Sequence, residues 1–469
     1  MRRSTTALVV LVVLAAGASY RLDLGARWFG TGSEAASTQV SDPAEVPPPP
    51  GLSLPQTPRA VPVADPAAPR EADPEAVRRT VRSLVSGRRL GPDVAVAVSQ
   101  LADGRTVYRT GPARVVPAST LKLLTTAAAL VQLGGEHRFA TTVVAGKARH
   151  EVILVGGGDP FLARKPGSQD YPARADIETL AGSTARALRE LGTRRVRLGY
   201  DASMFMGPSV SPRWEASYVP DNVVSPISAL WVDEGRAADG FNRSADPARA
   251  AARAFTRALR SRKITVVGQP LERSAKPGAV ELAAVQSAPL AQIVERVLDV
   301  SDNEAAEVLA RQVAVAAGKP GSFAGAARAV ANTLRSVGVV ADRDRIYDGS
   351  GLSRENRLAP ETILSLLETA SSERHPELRP VLTGMPVAGF TGSLTYRFDA
   401  GHPLGPGVVR AKTGSLSRVQ SLAGTVTTRD GAVLVFVATA DRVRIRNTLY
   451  ARALLDRVAA ALAGCRCAA

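Results

Sequence analysis

Three short motifs place a serine and two lysines in a pattern suited to acyl transfer. Each occurs once, and they follow one another as Ser119-Thr-Leu-Lys122, Ser301-Asp-Asn303 and Lys412-Thr-Gly414. Any one of these motifs is common by chance, but all three in this order are not. Only seven lysines occur in the chain, and two of them lie in the motifs. The combination predicts a serine acyl-transfer site that uses no histidine.

Ser119 is the predicted nucleophile and Lys122 the predicted general base. A serine hydroxyl attacks a carbonyl group only when a neighbouring base takes its proton. The apolar, alanine-rich run after Ser119 predicts a buried helix with Ser119 at its N-terminal end. Lys122 then lies one turn further on, on the same helix face. Burial and a second positive charge, for which Lys412 is the candidate, both lower the pKa of a lysine.

The second motif supplies the groups that move and orient the proton. Ser301 is predicted to lie between Lys122 and Lys412 and to relay a proton to the leaving amine. The side-chain amide of Asn303 is predicted to orient Lys122 and the substrate carbonyl group.

The third motif is predicted to lie on a strand, because the residues from Val408 to Thr413 have extended character. Gly414 permits a close approach of the backbone to a substrate. The N–H groups of Ser119 and Ser415 are then placed to form an oxyanion hole. The side chains of Lys412, Thr413 and Ser415 are predicted to bind a substrate carboxylate.

Each motif also has a purely structural interpretation. A serine at the start of a helix is usually an N-cap, and Asp302 and Asn303 look like helix-start residues. Lys412-Thr-Gly414 taken alone is most often a strand end. A structural cap has no reason to occur together with the other two motifs in order, so the functional interpretation is favoured.

The elements that position these motifs come from both ends of the chain. A strand pair is predicted around Asp93 to Arg109, and three strands are predicted near the C-terminus, followed by a helix from Ile445 to Leu462. Helices dominate from Leu290 to Val337. The pattern predicts an α+β fold in which one antiparallel sheet is flanked by helices.

The chain resembles the class C penicillin-binding proteins, the D-alanyl-D-alanine carboxypeptidase/endopeptidase family, from about Pro74 to Arg457. Besides the three motifs, four segments carry the resemblance: Leu154-Val-Gly-Gly-Gly-Asp-Pro160, Asp221-Asn222 before Ser225-Pro226, Tyr347-Asp-Gly-Ser-Gly-Leu-Ser-Arg354 and Thr391-Gly-Ser-Leu394. The resemblance implies a penicillin-binding transpeptidase-like or β-lactamase-like domain. It also implies a serine peptidase that acts on the D-alanyl-D-alanine ends of cell-wall stem peptides and is acylated by β-lactams.

Four regions are predicted along the chain. Residues 1–30 are predicted to be a signal peptide or N-terminal membrane anchor, since a short apolar run follows Met1-Arg2-Arg3. Residues 31–73 read as a disordered Pro/Ala-rich linker. Residues 74–137 and 281–469 form the predicted catalytic domain, and 138–280 an inserted domain between the first and second motifs. Whether this insertion is one module or two is left open.

The composition excludes several classes of site. The net charge is +16, but the arginines are scattered and aromatic residues make up only 4% of the chain, so no nucleic acid is predicted as a partner. Anionic wall polymers or a membrane surface are the predicted partners of this charge. The four histidines are isolated, and neither a metal nor a cofactor is predicted. Cys465 and Cys467 are too close to staple a core.

The sequence therefore predicts an exported serine D-Ala-D-Ala carboxypeptidase of the cell envelope, with endopeptidase activity on cross-links left open. Two alternatives stay open. A β-lactamase shares the motifs but needs an activated water for rapid deacylation, and no Glu-x-x-x-Asn segment stands between the second and third motifs. A non-catalytic penicillin-recognising or wall-binding protein has no need of intact Ser119, Lys122 and Lys412.

Overall fold

The computed structural model describes residues 70–86, 88–167, 171–339, 343–398 and 404–469. The predicted signal or anchor, residues 1–30, and all but the last four residues of the predicted linker lie outside this part. No helix among the described residues is long and apolar enough to cross a membrane.

The described residues form eleven strands and ten α-helices. The strands are β1 (Asp93–Gln100), β2 (Thr106–Thr110), β3 (Ala140–Ala145), β4 (Glu151–Val155), β5 (Arg195–Asp201), β6 (Thr265–Val266), β7 (Leu271–Glu272), β8 (Glu281–Gln286), β9 (Val409–Leu416), β10 (Val419–Thr427) and β11 (Val433–Asp441). The helices are α1 (Pro74–Val85), α2 (Leu121–Leu133), α3 (Ile177–Glu190), α4 (Pro247–Ser261), α5 (Leu290–Val300), α6 (Asn303–Ala316), α7 (Phe323–Ser336), α8 (Pro360–Ser371), α9 (Arg379–Thr383) and α10 (Thr448–Gly464).

The first sheet has the strand order β2-β1-β11-β10-β9, and every neighbouring pair is antiparallel. Its strands come from both ends of the chain, as the sequence predicts. The two C-terminal hairpins place β9, with the third motif, at one edge. The predicted α+β fold with an antiparallel sheet and flanking helices is confirmed.

Helices cover both faces of this sheet because the strands are apolar on both faces. On β11, Val435 and Val437 pack into the cluster formed by α2, α5, α6 and α8, whereas Leu434 and Phe436 pack against α1 and α10. Successive side chains of a strand alternate between faces, so this single strand contributes to two cores. The second motif lies at the junction of α5 and α6, on the first of these faces.

The second sheet has the order β6-β5-β4-β3-β8, with β7 also paired to β5. The β3-β4 and β3-β8 pairs are antiparallel, while β5 is parallel to β4, β6 and β7. Its core is formed with α3 and α4. The strands of this sheet run from Ala140 to Gln286, and the boundaries 138–280 of an inserted domain remain a prediction.

Local structure at the nucleophile differs from the sequence prediction. The predicted helix begins at Ser119, but Ala118–Thr120 form a 3-10 turn and α2 begins at Leu121. Ala118 takes a positive φ of 47°, a conformation that L-residues rarely adopt. The chain therefore bends sharply just before the serine.

Candidate active site

Ser119 is half-buried in the 3-10 turn, which is clamped between two segments of the fold. A β-carbon added to Gly414 of β9 would lie 2.8 Å from the Pro117 carbonyl oxygen and 3.1 Å from the Ser119 nitrogen. A β-carbon on Gly351 would collide with the Ala118 carbonyl oxygen. Both glycines permit a close approach to the nucleophile turn. For Gly414 the close neighbours are Ser421 Oγ on β10 and this turn, whereas the sequence predicted a close approach to the substrate.

Lys122 is fully buried and makes three hydrogen bonds. Its Nζ lies 2.9 Å from Ser119 Oγ, 2.7 Å from Asn303 Oδ1 and 2.8 Å from the Ser350 carbonyl oxygen. Burial lowers the pKa of Lys122 to about 8, against the opposing effect of nearby carboxylates, of which Asp302 is the strongest. The first and second motifs are thus joined through one lysine nitrogen.

Asn303 is held in one orientation by a second contact. Its Nδ2 donates to the Val223 carbonyl oxygen at 2.9 Å, so Oδ1 is the atom that faces Lys122. The residue is placed by the start of α6, which Asp302 caps by accepting a hydrogen bond from the Ala305 N–H at 2.8 Å. The cap and the candidate catalytic amide are therefore neighbours in one motif.

Ser301 ends α5 in the left-handed conformation, with a φ of 63°. Within the described residues, its Oγ makes no hydrogen bond to Ser119, Lys122 or Lys412. It lines a cavity of about 520 Å³ together with Asn303, Arg174, Arg236 and Arg296. The structure thus places Ser301 at the wall of a cavity with Asn303, and the described residues show no hydrogen bond from it to either lysine.

Lys412 is also fully buried, and its Nζ donates to the Thr413 carbonyl oxygen at 3.0 Å. Burial and, to a smaller extent, the positive charge of Lys122 lower the pKa of Lys412 well below its usual range. One lysine was predicted to lower the pKa of the other by its positive charge. This effect acts on Lys412. For Lys122, burial is the main cause of the lowered pKa.

The other residues of the third motif are fixed by partners on neighbouring segments. Thr413 Oγ1 donates to Ser393 Oγ at 2.9 Å, and Ser415 Oγ donates to Gln420 Oε1 at 3.0 Å. Ser415 is solvent-exposed and Thr413 partly so. Lys412, Thr413 and Ser415 lie together on β9, next to the nucleophile turn.

Buried carboxylates that the sequence analysis did not single out hold the Ser350 carbonyl in place. Glu307 on α6 accepts hydrogen bonds from the Gly349 N–H at 3.0 Å and the Ser350 N–H at 2.7 Å. Asp348 accepts from Trp214 Nε1 at 2.9 Å and from the Ser353 N–H at 2.6 Å. Burial, with a further contribution from Asp348, raises the pKa of Glu307 to about 7.

A signal for part of this network was present in the sequence. Ser350 and Asp348 belong to the Tyr347–Arg354 segment, which carries the resemblance to class C penicillin-binding proteins. Glu307 lies four residues after Asn303 and so shares its helix face. Ser393 belongs to the Thr391–Leu394 segment, which also carries the resemblance, whereas Gln420 had no signal beyond its closeness to motif residues in the folded chain. Within the described residues, no group of three or more His, Cys, Asp or Glu side chains is arranged to hold a metal ion.

The sequence matches the D-Ala-D-Ala carboxypeptidase 3 (S13) family over residues 77–240 and 235–462. The chain belongs to this family. The predicted enzyme class, a D-Ala-D-Ala carboxypeptidase with the fold of the penicillin-binding proteins, is confirmed. The family favours this activity over both alternatives that the motifs left open.

Two relatives from mycobacteria cover most of the chain. A carboxypeptidase of Mycobacterium tuberculosis is 38% identical over 410 residues, which cover 85% of this chain and 85% of the relative. The carboxypeptidase DacB of Mycolicibacterium smegmatis is 35% identical over 482 residues, covering 100% of this chain and 99% of the relative.

A solved structure shares the fold. Penicillin binding protein 4 (DacB) from Haemophilus influenzae superposes with a TM-score of 0.67 at 22% sequence identity, covering 82% of this chain and 98% of that protein. The same protein has also been solved in complex with a β-lactam.

Proposed function

We propose that the protein removes the terminal D-alanine from peptidoglycan stem peptides through an acyl-enzyme on Ser119, and that β-lactams acylate the same residue. The observation that carries this proposal is the position of Lys122 Nζ, within hydrogen-bond distance of both Ser119 Oγ and Asn303 Oδ1. The S13 family membership supports the reaction, and the geometry supports the assignment of roles.

The three partners of Lys122 explain how it acts as a base. A neutral amine has two N–H donors and one lone pair. Asn303 Oδ1 and the Ser350 carbonyl oxygen can only accept, so they take the two N–H groups. The lone pair is left for the third partner, the hydroxyl proton of Ser119. Loss of one proton from Lys122 thus turns the same three contacts into a general-base arrangement.

Acylation then follows with balanced steps. Ser119 Oγ attacks the carbonyl carbon of the penultimate D-alanine while its proton moves to Lys122. The N–H groups of Ser119 and Ser415 stabilise the oxyanion. The peptide C–N bond breaks as Lys122 returns this proton, through Ser301, to the leaving D-alanine amine. Water hydrolyses the resulting ester and regenerates the serine hydroxyl.

The substrate carboxylate is assigned to the β9 edge. Thr413 and Ser415 offer hydroxyl groups there, and Lys412 supplies charge. The pKa of Lys412 is lowered in the free protein, and a bound carboxylate raises it again by favouring the protonated amine. Substrate binding therefore stabilises the positive charge of Lys412. A terminal carboxylate is the feature that distinguishes this substrate from an internal peptide.

A pair of substrates tests the assignment. A peptide ending in D-Ala-D-Ala is expected to release D-alanine, and its C-terminal amide to react roughly ten- to a hundredfold more slowly, since a charge-assisted contact is lost. Ser415→Ala should slow the acid and leave the amide almost unchanged. Equal slowing of both substrates would place the carboxylate elsewhere. Penicillin turnover at several per second would instead indicate a β-lactamase.

The remaining expectations concern where the enzyme works. We propose that it acts outside the cytoplasmic membrane, exported by residues 1–30, because its substrate is a wall peptide. The net charge of +16 supports contact with an anionic polymer or membrane of the envelope. Endopeptidase activity is tested with a cross-linked muropeptide dimer, whose conversion to monomers by mass analysis would support it.

A further inference from the structure

A group of exposed arginines and apolar side chains lies where β11 leads into α10. We call it the arginine–apolar patch, and its members are Arg89, Arg442, Arg444, Ile445, Arg446, Leu449 and Tyr450. None of these residues belongs to the three motifs. The proposed function uses none of them.

The patch is one continuous surface built on a buried base. A cavity of about 680 Å³ is lined by its four arginines together with Gly91, Pro92 and Asn447. The Arg89 guanidinium carbon lies 5.3 Å from the ring centre of Tyr450, and Asn447 Nδ2 donates to the Arg89 carbonyl oxygen at 3.3 Å. Val443 is buried beneath it with Ala451 and Leu454. The buried residues anchor the segment and leave its exposed side chains at the surface.

Most of the positive charge of the patch is not neutralised by its neighbours. Arg442 pairs with Asp93 at 2.6 Å. In the part of the chain that the structure describes, no ion pair joins Arg89, Arg444 or Arg446 to a carboxylate. Among the described residues that line the cavity there is no carboxylate either. The guanidinium groups of Arg89, Arg444 and Arg446 are therefore exposed without an acidic partner among the described residues.

The apolar side chains decide between kinds of anionic partner. Ile445 is 75% exposed and Leu449 is 68% exposed, although both lie among arginines. Ile445 begins the 3-10 turn Ile445–Asn447 that leads into α10, and Leu449 is the second residue of α10. A soluble anionic polymer would contact the arginines but leave these two side chains in water. A lipid bilayer accommodates both kinds of side chain, since arginines bind head-group phosphates and apolar groups insert at the boundary with the acyl chains.

We propose that the arginine–apolar patch docks the enzyme on an anionic membrane surface. Arg89, Arg444 and Arg446 contact lipid phosphates, and Ile445 and Leu449 insert below them. The patch adjoins the catalytic edge through the turn between β9 and β10, where the Val443 N–H donates to the Arg418 carbonyl oxygen at 3.0 Å. Docking therefore holds the carboxylate-binding strand close to the membrane.

A fluorophore placed at residue 449 reports insertion directly. In the full-length chain, Leu449→Cys is labelled with an environment-sensitive nitrobenzoxadiazole group, the described cysteines being joined in the Cys465–Cys467 disulfide. Leu191→Cys is the matched control, because Leu191 is 66% exposed and lies beside a different arginine-lined cavity. Emission at residue 449 should shift to the blue with phosphatidylglycerol vesicles and not with phosphatidylcholine vesicles. Emission at residue 191 should not shift.

Removing charge from the patch tests whether the patch itself, and not the overall positive charge of the chain, binds the membrane. Adding Arg444→Gln and Arg446→Gln to the labelled protein should raise the lipid concentration at half-maximal shift roughly thirtyfold, whereas Arg194→Gln with Arg195→Gln, in the other cavity, should leave it unchanged. D-alanine release in solution should be equal in all variants, which shows that they are folded.

Three results would overturn the proposal. These are no shift at residue 449, equal shifts at residues 449 and 191, or equal losses in both double variants. Binding of soluble polyglycerol phosphate that depends on Arg444 and Arg446, without a shift on any vesicle, would replace the membrane with an anionic polymer.

Discussion

The buried position of Lys122 predicts a specific pH dependence of acylation. With a pKa of about 8, the neutral fraction of Lys122 rises from roughly one tenth at pH 7 to about nine tenths at pH 9. The acylation rate should therefore rise about tenfold over this interval and level off above it. An unperturbed lysine, with a pKa of about 10.4, would give a nearly hundredfold rise without a plateau. The size of the rise and the plateau together identify the base.

The measurement is the second-order rate of labelling by a fluorescent penicillin, from pH 6 to 10, in wild type and in Lys122→Arg. A guanidinium stays protonated over this range and cannot act as a base, so the variant should lose acylation at every pH. The larger side chain has to fit a fully buried site, so Lys122→Met serves as a second variant of similar length. Thermal unfolding shows which variants fold.

Two results would refute the role of Lys122. One is near-normal acylation by a folded Lys122 variant. The other is a wild-type profile that keeps rising with pH to 10, because this would mean that burial does not lower the pKa of the base.

Three further predictions follow from the same contacts. Ser119→Ala should abolish penicillin labelling, and label that persists on another residue in mass analysis would remove the serine from its role. Glu307→Gln removes a carboxylate that raises the pKa of Lys122, so the midpoint of the acylation profile should move to lower pH; a midpoint that stays or rises would contradict this. Gly414→Ala should lower the free energy of unfolding by about 1–3 kcal/mol and slow acylation, because the added methyl group collides with Ser421 Oγ and also meets the Pro117 carbonyl and the Ser119 nitrogen. Gly135→Ala is the control in thermal denaturation, since its β-carbon would make only an ordinary 3.6 Å contact with Ala291.

The amino-acid sequence alone predicts which residues carry the chemistry and which elements carry most of them. Ser119 and Lys122 are three residues apart at a helix start, and such local spacing limits their separation whatever the rest of the chain does. The strands near both termini were also predictable, because alternating apolar residues and turn residues are local signals that span only a few positions. Membership of a D-Ala-D-Ala carboxypeptidase family, which the motifs predicted, is confirmed by the comparison with known proteins.

The orientation of these residues depends on packing in the folded chain. The third partner of Lys122 is the carbonyl of Ser350, 228 residues away, and its position depends on hydrogen bonds from its own segment to Glu307. A backbone carbonyl carries no sequence signal of its own. Gly414 likewise looks like any strand glycine until β9 packs against the nucleophile turn. Local sequence patterns specify which groups are present. The distances that set the pKa of a lysine and the direction of its lone pair depend on packing between segments that are far apart in the chain.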